Sequence, residues 1–170
     1  MIYINIGSNL NSSKGDRLYN LKRSIELIKY KKFKILKISN IYETPSYPNK
    51  KYPKFLNICL AGESKEKPEL LIKKFQSIEK ALHRIKSSKN QPRTCDIDII
   101  DWYGKIVNFE KIVLPHPRAH LRNFVLYPLR ELAPNWTHPV LNKKIELLIK
   151  KLNFKLRNEI TRLHESVIND

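Results

Sequence analysis

The alternation of polar and apolar residues in Asp96-Ile97-Asp98-Ile99 predicts a β-strand with two different faces. Side chains of a strand point alternately to opposite faces of the sheet, so the isoleucines would enter a core while both aspartates face away from it. Neighbouring carboxylates repel each other, and a divalent cation between them relieves that repulsion. The strand therefore predicts a magnesium site. For an isolated Asp-x-Asp, an ordinary solvated strand would be the simpler interpretation.

Arginine is concentrated around this strand. The chain has 24 Lys but only 9 Arg, and five of the arginines lie between positions 84 and 130. Lysine is thus the default cation, and arginine is favoured where a rigid, bidentate contact is needed. Arg93, just upstream of Asp96, is typical of sites that hold a phosphate chain beside a carboxylate-bound metal.

A second basic segment spans residues 114–129. Pro115 and Pro117 hold the backbone extended around His116, and Arg118, His120 and Arg122 follow before an apolar run. An exposed loop with ordinary basic residues would also explain this segment. The arginine usage favours a binding loop instead.

The segment Gly7-Ser8-Asn9-Leu10 directly follows the alternating residues 2–6. The glycine permits a tight exit from a strand, and Ser8 or Asn9 would cap or turn the chain that follows. By itself this is a weak signal for function.

Glu43-Thr44-Pro45 lies about ten residues before Phe55 and Asn57. An aromatic ring and a side-chain amide are suited to hold a flat heterocycle by stacking and paired hydrogen bonds. A core phenylalanine and a turn asparagine explain these two residues equally well.

The apolar periodicity predicts the order β-α-β-β-α-β, which is the ferredoxin-like plan of an α+β protein with an antiparallel sheet. Four strands and two helices are expected, at residues 1–7, 18–31, 35–44, 56–60, 68–85 and 95–103. The second helix would place Ile85 on its apolar face and Gln76, Glu79 and His83 on the adjoining face, with His83 as a surface partner of Glu79. A short strand after Gly104 and a last helix at residues 143–152 complete the expected domain.

The net charge of +17 makes a nucleic-acid-binding protein a competing hypothesis. We favour a lysine-rich solvated surface, because the charge is spread over the chain and no nucleic-acid-binding motif is present. No apolar run has membrane length, and Cys59 and Cys95 lack metal-ligand spacing, so a cytoplasmic protein with reduced thiols is expected. We expect no nucleic-acid partner, no membrane partner and a monomer.

Taken in order, these segments resemble the 6-hydroxymethyl-7,8-dihydropterin pyrophosphokinases of folate biosynthesis. The resemblance covers about residues 1–150, and its most specific parts are Pro92-Arg93-Thr94-x-Asp96-Ile97-Asp98 and Pro115-His116-Pro117-Arg118. It implies transfer of the β,γ-pyrophosphate of ATP to the hydroxymethyl group of the pterin, with release of AMP. It also implies a pyrophosphokinase domain at residues 1–152. The resemblance does not extend to residues 153–170, which we expect to form a basic, partly helical C-terminal extension.

The resemblance assigns roles residue by residue. Two Mg²⁺ ions bound with ATP would be held by Asp96 and Asp98. The phosphates would be contacted by Arg84, Arg93, His116 and Arg122, of which Arg84 and Arg93 act with the aspartates in catalysis. The nucleotide side of the cleft would include Gln76, Glu79, Ile99, Lys111 and Val113. The pterin would contact Thr44, Pro45, Phe55, Asn57 and Phe124.

The match departs from the family pattern beside two of the arginines. Family members usually have a glycine before the arginine that matches Arg84, and they usually have an aromatic residue and a glycine before Pro92. In this chain the corresponding residues are His83, Asn90 and Gln91. The 85–91 loop is also about one residue shorter than in some members. A descendant with the same ATP site and another hydroxylated heterocycle is a further possibility, which the pterin-contacting residues make less favourable.

Overall fold

The computed structural model describes residues 1–85, 91–109, 112–164 and 167. Lys111, expected at an adenine pocket, and residues 86–90 of the 85–91 loop lie outside the described residues. Within the described part of the chain, no helix has the length and apolar character needed to cross a bilayer.

The strands, in chain order, are β1 (Ile2–Ser8), β2 (Lys34–Ile38), β3 (Tyr42–Thr44), β4 (Phe55–Glu63), β5 (Asp96–Trp102), β6 (Val107–Phe109), β7 (Ile112–Leu114) and β8 (Thr161–Arg162). The helices are α1 (Arg17–Tyr30), α2 (Pro68–Ala81), α3 (Asn123–Leu132), α4 (Ile145–Lys151) and α5 (Phe154–Asn158), and a 3-10 turn covers Ala119–Leu121.

The main sheet is antiparallel and has the strand order β5-β1-β4-β3-β8. Strands β2 and β3 lie end to end along the same edge of β4, so the single strand expected at residues 35–44 is in fact two short ones. The connection β1-α1-β2/β3-β4-α2-β5 is the ferredoxin-like arrangement, as the sequence predicted. The short strand after Gly104 is β6, and it pairs with β7 in a separate hairpin.

Helices α1 and α2 cover one face of this sheet. Asp16 caps α1 by accepting a hydrogen bond from Tyr19 N at 2.8 Å, and Pro68 occupies the first turn of α2. Helix α2 ends before it reaches Ile85, which is 83% exposed, so the expected apolar stripe is shorter than predicted. The core under the two helices includes Ile2, Ile4, Ile6, Leu21, Ile25, Ile58, Phe75, Ile78, Ile97 and Ile99.

Helices α3 and α4 cover only part of the opposite face. They pack on a second apolar cluster that includes Ile100, Leu126, Trp136 and Leu148. The sequence pattern does not predict α3, because Pro128 stands inside it and cannot donate to Phe124 O. That carbonyl gains a different partner, since the buried Asn5 amide, with its nitrogen turned towards α3, donates to Phe124 O at 3.1 Å. The hydrogen bond fastens the start of α3 to the middle of the sheet.

The segment after α4 returns to the sheet. Strand β8 pairs with β3, and Leu163 N donates to Ile41 O at 2.8 Å. Glu159 forms an ion pair with Lys50, and Val167 is buried in the core under α1 and α2. These residues therefore contribute a strand and a core side chain, while the domain division at residue 152 stays a prediction.

Candidate active site

Three residues form a row across β4, β1 and the edge strand β5, at the end that α3 and α4 leave open. In the strand register Gly7 of β1 lies opposite Asn57 of β4 on one side and opposite Asp96 of β5 on the other. Residues directly opposite each other in antiparallel strands project from the same face, and neighbouring strands are about 4.8 Å apart. The row therefore places an amide and a carboxylate roughly 10 Å apart on one surface, with no side chain between them.

The lack of a side chain at Gly7 suits this close approach. A Cβ atom at position 7 would lie 3.0 Å from Asn57 Oδ1 and 3.4 Å from Phe55 Cδ1. The amide oxygen of Asn57 thus faces the glycine, whereas its nitrogen donates to Thr44 Oγ1 at 3.2 Å and to Tyr42 O at 3.5 Å. Because β3 takes both amide hydrogens, Asn57 presents an acceptor at this part of the sheet.

Asp96 is held by two arginines from opposite sides. Arg84, which follows α2, approaches one carboxylate oxygen at 2.7 Å, and Arg93 approaches the other at 3.0 Å. Arg84 also pairs with Glu79, and Glu79 accepts a hydrogen bond from Ile97 N at 2.8 Å. The arginines predicted to contact phosphate therefore already neutralise the carboxylate predicted to bind metal.

Glu79 lies at the buried end of the ion-pair network that it forms with Arg84 and Asp96. Burial raises the pKa of its carboxyl to about 7, and the adjacent Arg84 guanidinium limits that rise. His83, expected as its partner, lies beyond the end of α2 with φ +60°, and Glu79 pairs with Arg84 instead. Glu79 thus ties the end of α2 to the start of the aspartate strand.

Asp98 lies one pleat further along β5, on the same face as Asp96. Loss of hydration in the packed site, followed by repulsion from Asp96, raises the pKa of its carboxyl to about 6, against the effect of nearby arginines. Arg122 is 3.5 Å and His116 Nε2 is 3.9 Å from Asp98 Oδ2. The Asp98 side chain keeps 35% of its surface exposed, so a ligand can reach it.

The neighbouring strand β5 positions His116, because the backbone N–H of His116 donates to Ile100 O at 2.9 Å. Burial, together with the cations Arg122 and Arg118, lowers the pKa of His116 to about 4, so its imidazole is neutral near pH 7. Arg118 N donates to His116 Nδ1 at 3.1 Å, which assigns the ring proton to Nε2. His116 therefore presents an N–H donor on the side of Asp98.

The paired carboxylates fit Mg²⁺. Within the described residues, no group of three or more His, Cys, Asp or Glu side chains is arranged to hold a metal. Mg²⁺ does not need such a cage, because it usually keeps several waters and binds through one or two carboxylates and substrate phosphates. Asp96 and Asp98 supply two oxygen-donor side chains, and the surrounding cations leave room for a polyanion to supply further oxygens.

Of the remaining predicted pterin contacts, Thr44, Pro45 and Phe55 lie on the Asn57 side of the row. Thr44 is buried beside Asn57, while Pro45 and Phe55 are partly buried. The Arg122 guanidinium lies over the ring of Phe124, at the start of α3, and is 5.3 Å from the ring centroid. That contact links an aromatic ring of the expected pterin side to a cation that also approaches Asp98.

The residues expected around adenine lie in different environments. Gln76 is exposed on α2, and Val113 of β7 is 43% exposed. Ile99 is 5% exposed and belongs to the core under α1 and α2, so only its backbone remains for a contact on the opposite side of β5. The adenine pocket stays a prediction.

Two polar residues join this region without having been assigned a site role from the sequence. Asn5, whose amide reaches Phe124 O, lies opposite Asp98 in the strand register. Asn9 is 1% exposed and bonds to the backbone of Arg93. A buried polar residue needs partners, which marks both positions as constrained, but their partners are distant in sequence and the pattern along the chain does not reveal them.

Comparison with known proteins agrees with this geometry. Residues 3–134 match the model of the 7,8-dihydro-6-hydroxymethylpterin-pyrophosphokinase family. The chain is 33% identical over 146 residues to the 2-amino-4-hydroxy-6-hydroxymethyldihydropteridine pyrophosphokinase of Aquifex aeolicus, covering 85% of this chain and 88% of that protein. It is 34% identical over 132 residues to the enzyme of the same name from Bacillus subtilis, covering 77% of each.

Some relatives are much longer. The chain is 36% identical to the folic acid synthesis protein fol1 of Pneumocystis carinii over 151 residues, which are 89% of this chain but only 20% of that protein. Among solved structures, the HPPK-DHPS protein of Plasmodium falciparum superposes with a TM-score of 0.70 at 15% identity, covering 95% of this chain and 47% of that one. That structural likeness supports the ferredoxin-like fold. From the family match and the relatives of similar length, the chain belongs to the 7,8-dihydro-6-hydroxymethylpterin-pyrophosphokinase family.

Proposed function

We propose that this protein transfers the pyrophosphoryl group of ATP to the hydroxymethyl group of 6-hydroxymethyl-7,8-dihydropterin, as a step of folate synthesis. The observation that carries the proposal is the row of Asn57, Gly7 and Asp96, because it puts a heterocycle-reading amide and a metal-binding carboxylate on one surface. A small acceptor and a triphosphate need this proximity to react directly. The names and the family of the relatives support the same reaction.

The acceptor lies on the Asn57 side. Asn57 Oδ1 accepts a hydrogen bond from the pterin edge, while the backbone near Thr44 and Pro45 reads its remaining polar groups. Phe55 and Phe124 stack on the ring. The absence of a side chain at Gly7 lets the hydroxymethyl group extend across the row towards Asp96.

The phosphates lie on the aspartate side. Arg84, Arg93 and Arg122 bind phosphate oxygens, and His116 donates from Nε2. Asp96 and Asp98 hold two Mg²⁺ ions, which when bound supply neutralisation of the triphosphate charge. Arg84 and Arg93 both contact Asp96, so phosphate binding would exchange a carboxylate partner for a phosphate partner while the local charge stays balanced.

The chemistry needs no protein nucleophile. The hydroxymethyl oxygen attacks the β-phosphorus, and the bond between the β-phosphorus and the oxygen that bridges it to the α-phosphorus breaks. AMP leaves with that oxygen, and the hydroxyl proton passes to water. Phosphoryl transfer of this kind depends on positioning and on stabilisation of developing charge. The three arginines and the neutral His116 donor meet both requirements.

The test is AMP formation from ATP and Mg²⁺, measured with and without 6-hydroxymethyl-7,8-dihydropterin. We expect pterin-dependent AMP from the wild type and none above background from Asp96→Asn. Asp16→Asn is the matched control, because it makes the same chemical change at a helix cap where asparagine caps equally well. ATP binding without pterin-dependent AMP, from folded protein, would contradict the proposed acceptor.

The proposal includes the setting of the reaction. The protein acts as a monomer in the cytoplasm, without a nucleic-acid or membrane partner, and residues 1–152 form its catalytic domain. The buried thiols of Cys59 and Cys95 support a reducing compartment. Sedimentation with and without added RNA, at low and at 200 mM salt, tests both the monomer and the lack of a nucleic-acid partner.

A further inference from the structure

Asn9, directly after β1, uses its side chain in three hydrogen bonds although it is only 1% exposed. Asn9 Nδ2 donates to Ser46 Oγ at 3.0 Å and to Pro53 O at 3.1 Å. Asn9 Oδ1 accepts from Arg93 N at 2.8 Å, and Asn9 N donates to Arg93 O at 3.1 Å. The side-chain amide of Asn9 therefore donates through its nitrogen and accepts through its oxygen.

The partners of Asn9 belong to different sides of the site. Ser46 and Pro53 lie near the two ends of the loop between β3 and β4, which connects Pro45 to Phe55 on the pterin side. Ser46 Oγ also donates to Pro53 O at 2.5 Å, and this hydrogen bond joins the two ends of that loop. Arg93 is the phosphate-side residue whose guanidinium reaches Asp96. Asn9 is the bridge between these two regions.

A partly charged cleft lies beside this junction. A cavity of about 400 Å³ lies beside Asn9 and Pro53, and its lining includes the charged side chains of Arg17, Glu43 and Lys54. A second polar bridge joins the same two regions, since Tyr52 OH donates to Gln91 Oε1 at 3.1 Å. Side-chain hydrogen bonds at Asn9 and at Tyr52 thus join the loop to the segment around Arg93.

We propose that Asn9 is a positioning residue which fixes the distance between the bound acceptor and the bound triphosphate. The inference rests on the proposed function, since it needs one substrate on each side of the bridge. Only a side chain with a donor and an acceptor on one rigid group satisfies both partners. A displacement of about 1 Å between reacting groups lowers the rate by roughly 100-fold, so the effect falls on turnover more than on the binding of either substrate.

The test is Asn9→Asp, which keeps the acceptor for Arg93 N but replaces the donor to Ser46 and Pro53 with a second acceptor. We expect kcat to fall by roughly 30- to 100-fold. The Kd of the pterin alone and the Kd of a non-hydrolysable ATP analogue with Mg²⁺ change by less than about 3-fold each. Tyr52→Phe, which removes the second bridge, lowers kcat by about 3- to 10-fold with the same pattern.

Asn20→Asp is the matched control. Asn20 is fully buried and donates to Leu10 O at 3.0 Å, but none of its hydrogen bonds in the described residues reaches the β3–β4 loop or Arg93. The same amide-to-carboxylate change there lowers the melting temperature and leaves kcat within about 3-fold of the wild type.

The outcomes separate the positioning role from the proposed function. A wild type without pterin-dependent AMP overturns the proposed function. A wild type that forms AMP, with Asn9→Asp at wild-type kcat, overturns the role of Asn9 alone, and so does a loss confined to the Kd of the pterin. If Asn9→Asp does not fold, the kcat of Tyr52→Phe decides, and an unchanged value overturns the proposal.

Discussion

The two faces of the central sheet differ in what their side chains do, although the same strands supply both. Under α1 and α2 the strands contribute Ile4, Ile6, Ile97 and Ile99 to a closed apolar core. On the opposite face, at the end that α3 and α4 leave open, the intervening residues include Gly7, Asp96 and Asp98. One face stabilises the fold by burial, whereas the other gathers like charges that destabilise it until cations balance them.

The difference between the two faces explains how a small domain can carry a charged site. Asp96 and Asp98 stand on a strand whose other face is fully anchored, so their mutual repulsion cannot displace it. Arg84 and Arg93 each form an ion pair with Asp96 and so balance its charge. The stability of the covered face thus makes the electrostatic strain of the open face tolerable.

The largest expected effect comes from Asp98→Ala on the open face. If Asp98 is a metal ligand, as proposed, its removal lowers turnover by at least roughly 1000-fold. Removal of a charge that Asp96 repels leaves the free energy of unfolding equal or higher. Mg²⁺-dependent AMP formation and urea unfolding followed by circular dichroism measure the two effects. A folded variant with a near-normal rate would take Asp98 out of the site.

Ile4→Ala makes the complementary change on the covered face. Ile4 is fully buried in β1, opposite Leu60 and Ile99, so the truncation leaves a cavity and lowers the free energy of unfolding by about 3 kcal/mol. At a temperature where the variant is folded, we expect kcat within about 3-fold of the wild type. A loss of activity as large as that of Asp98→Ala would show that the two faces are not separable.

Arg93→Lys tests whether the open face needs a guanidinium at this position or only a positive charge. An ammonium keeps the charge but cannot reproduce the planar, two-pronged contact of a guanidinium, so kcat/KM falls by roughly 10- to 100-fold. The far-UV spectrum and the urea midpoint stay close to those of the wild type. Unchanged kinetics would mean that only the positive charge matters at this position.

The smallest effect concerns the two thiols, one in the cluster on each face. Cys95 and Cys59 are each 1% exposed, and burial raises the pKa of Cys95 to about 12 and that of Cys59 well above its usual range. Neither thiol should react with Ellman's reagent at pH 8 in the native protein, and both should react in 6 M guanidinium. Rapid reaction of Cys59 alone would show that the partly covered face opens locally.

Much of the fold follows from local patterns in the sequence. Alternation at residues 96–99 and the stripe of α1 predicted real elements, and the order of elements predicted the sheet. The pattern failed at α3, because Pro128 breaks the local rule and the sheet residue Asn5 compensates from a distance. The pattern also predicted an α2 that is too long. The helix ends at Ala81, because the turn after it brings Arg84 to Asp96.

The candidate site divides in the same way. Sequence motifs predicted Asp96, Asp98 and the arginines as site residues, because these residue types carry their chemistry wherever they are placed, and the structure brings Asp96 together with Arg84 and Arg93. The role of Glu79 as an anchor for Arg84 and the bridging position of Asn9 were not predicted. The Asn9 side-chain bonds span 37, 44 and 84 residues of sequence, so no local pattern contains them.

Side-chain periodicity and chemical type are local properties, so the chain alone indicates which residues face a core, which carry charge and which reaction family it resembles. The row of Asn57, Gly7 and Asp96 becomes visible in the folded protein, because strand register depends on the simultaneous pairing of β1 with β4 and β5. The distance between acceptor and phosphate sides is likewise a property of hydrogen bonds between distant segments, which exist only once the sheet has formed.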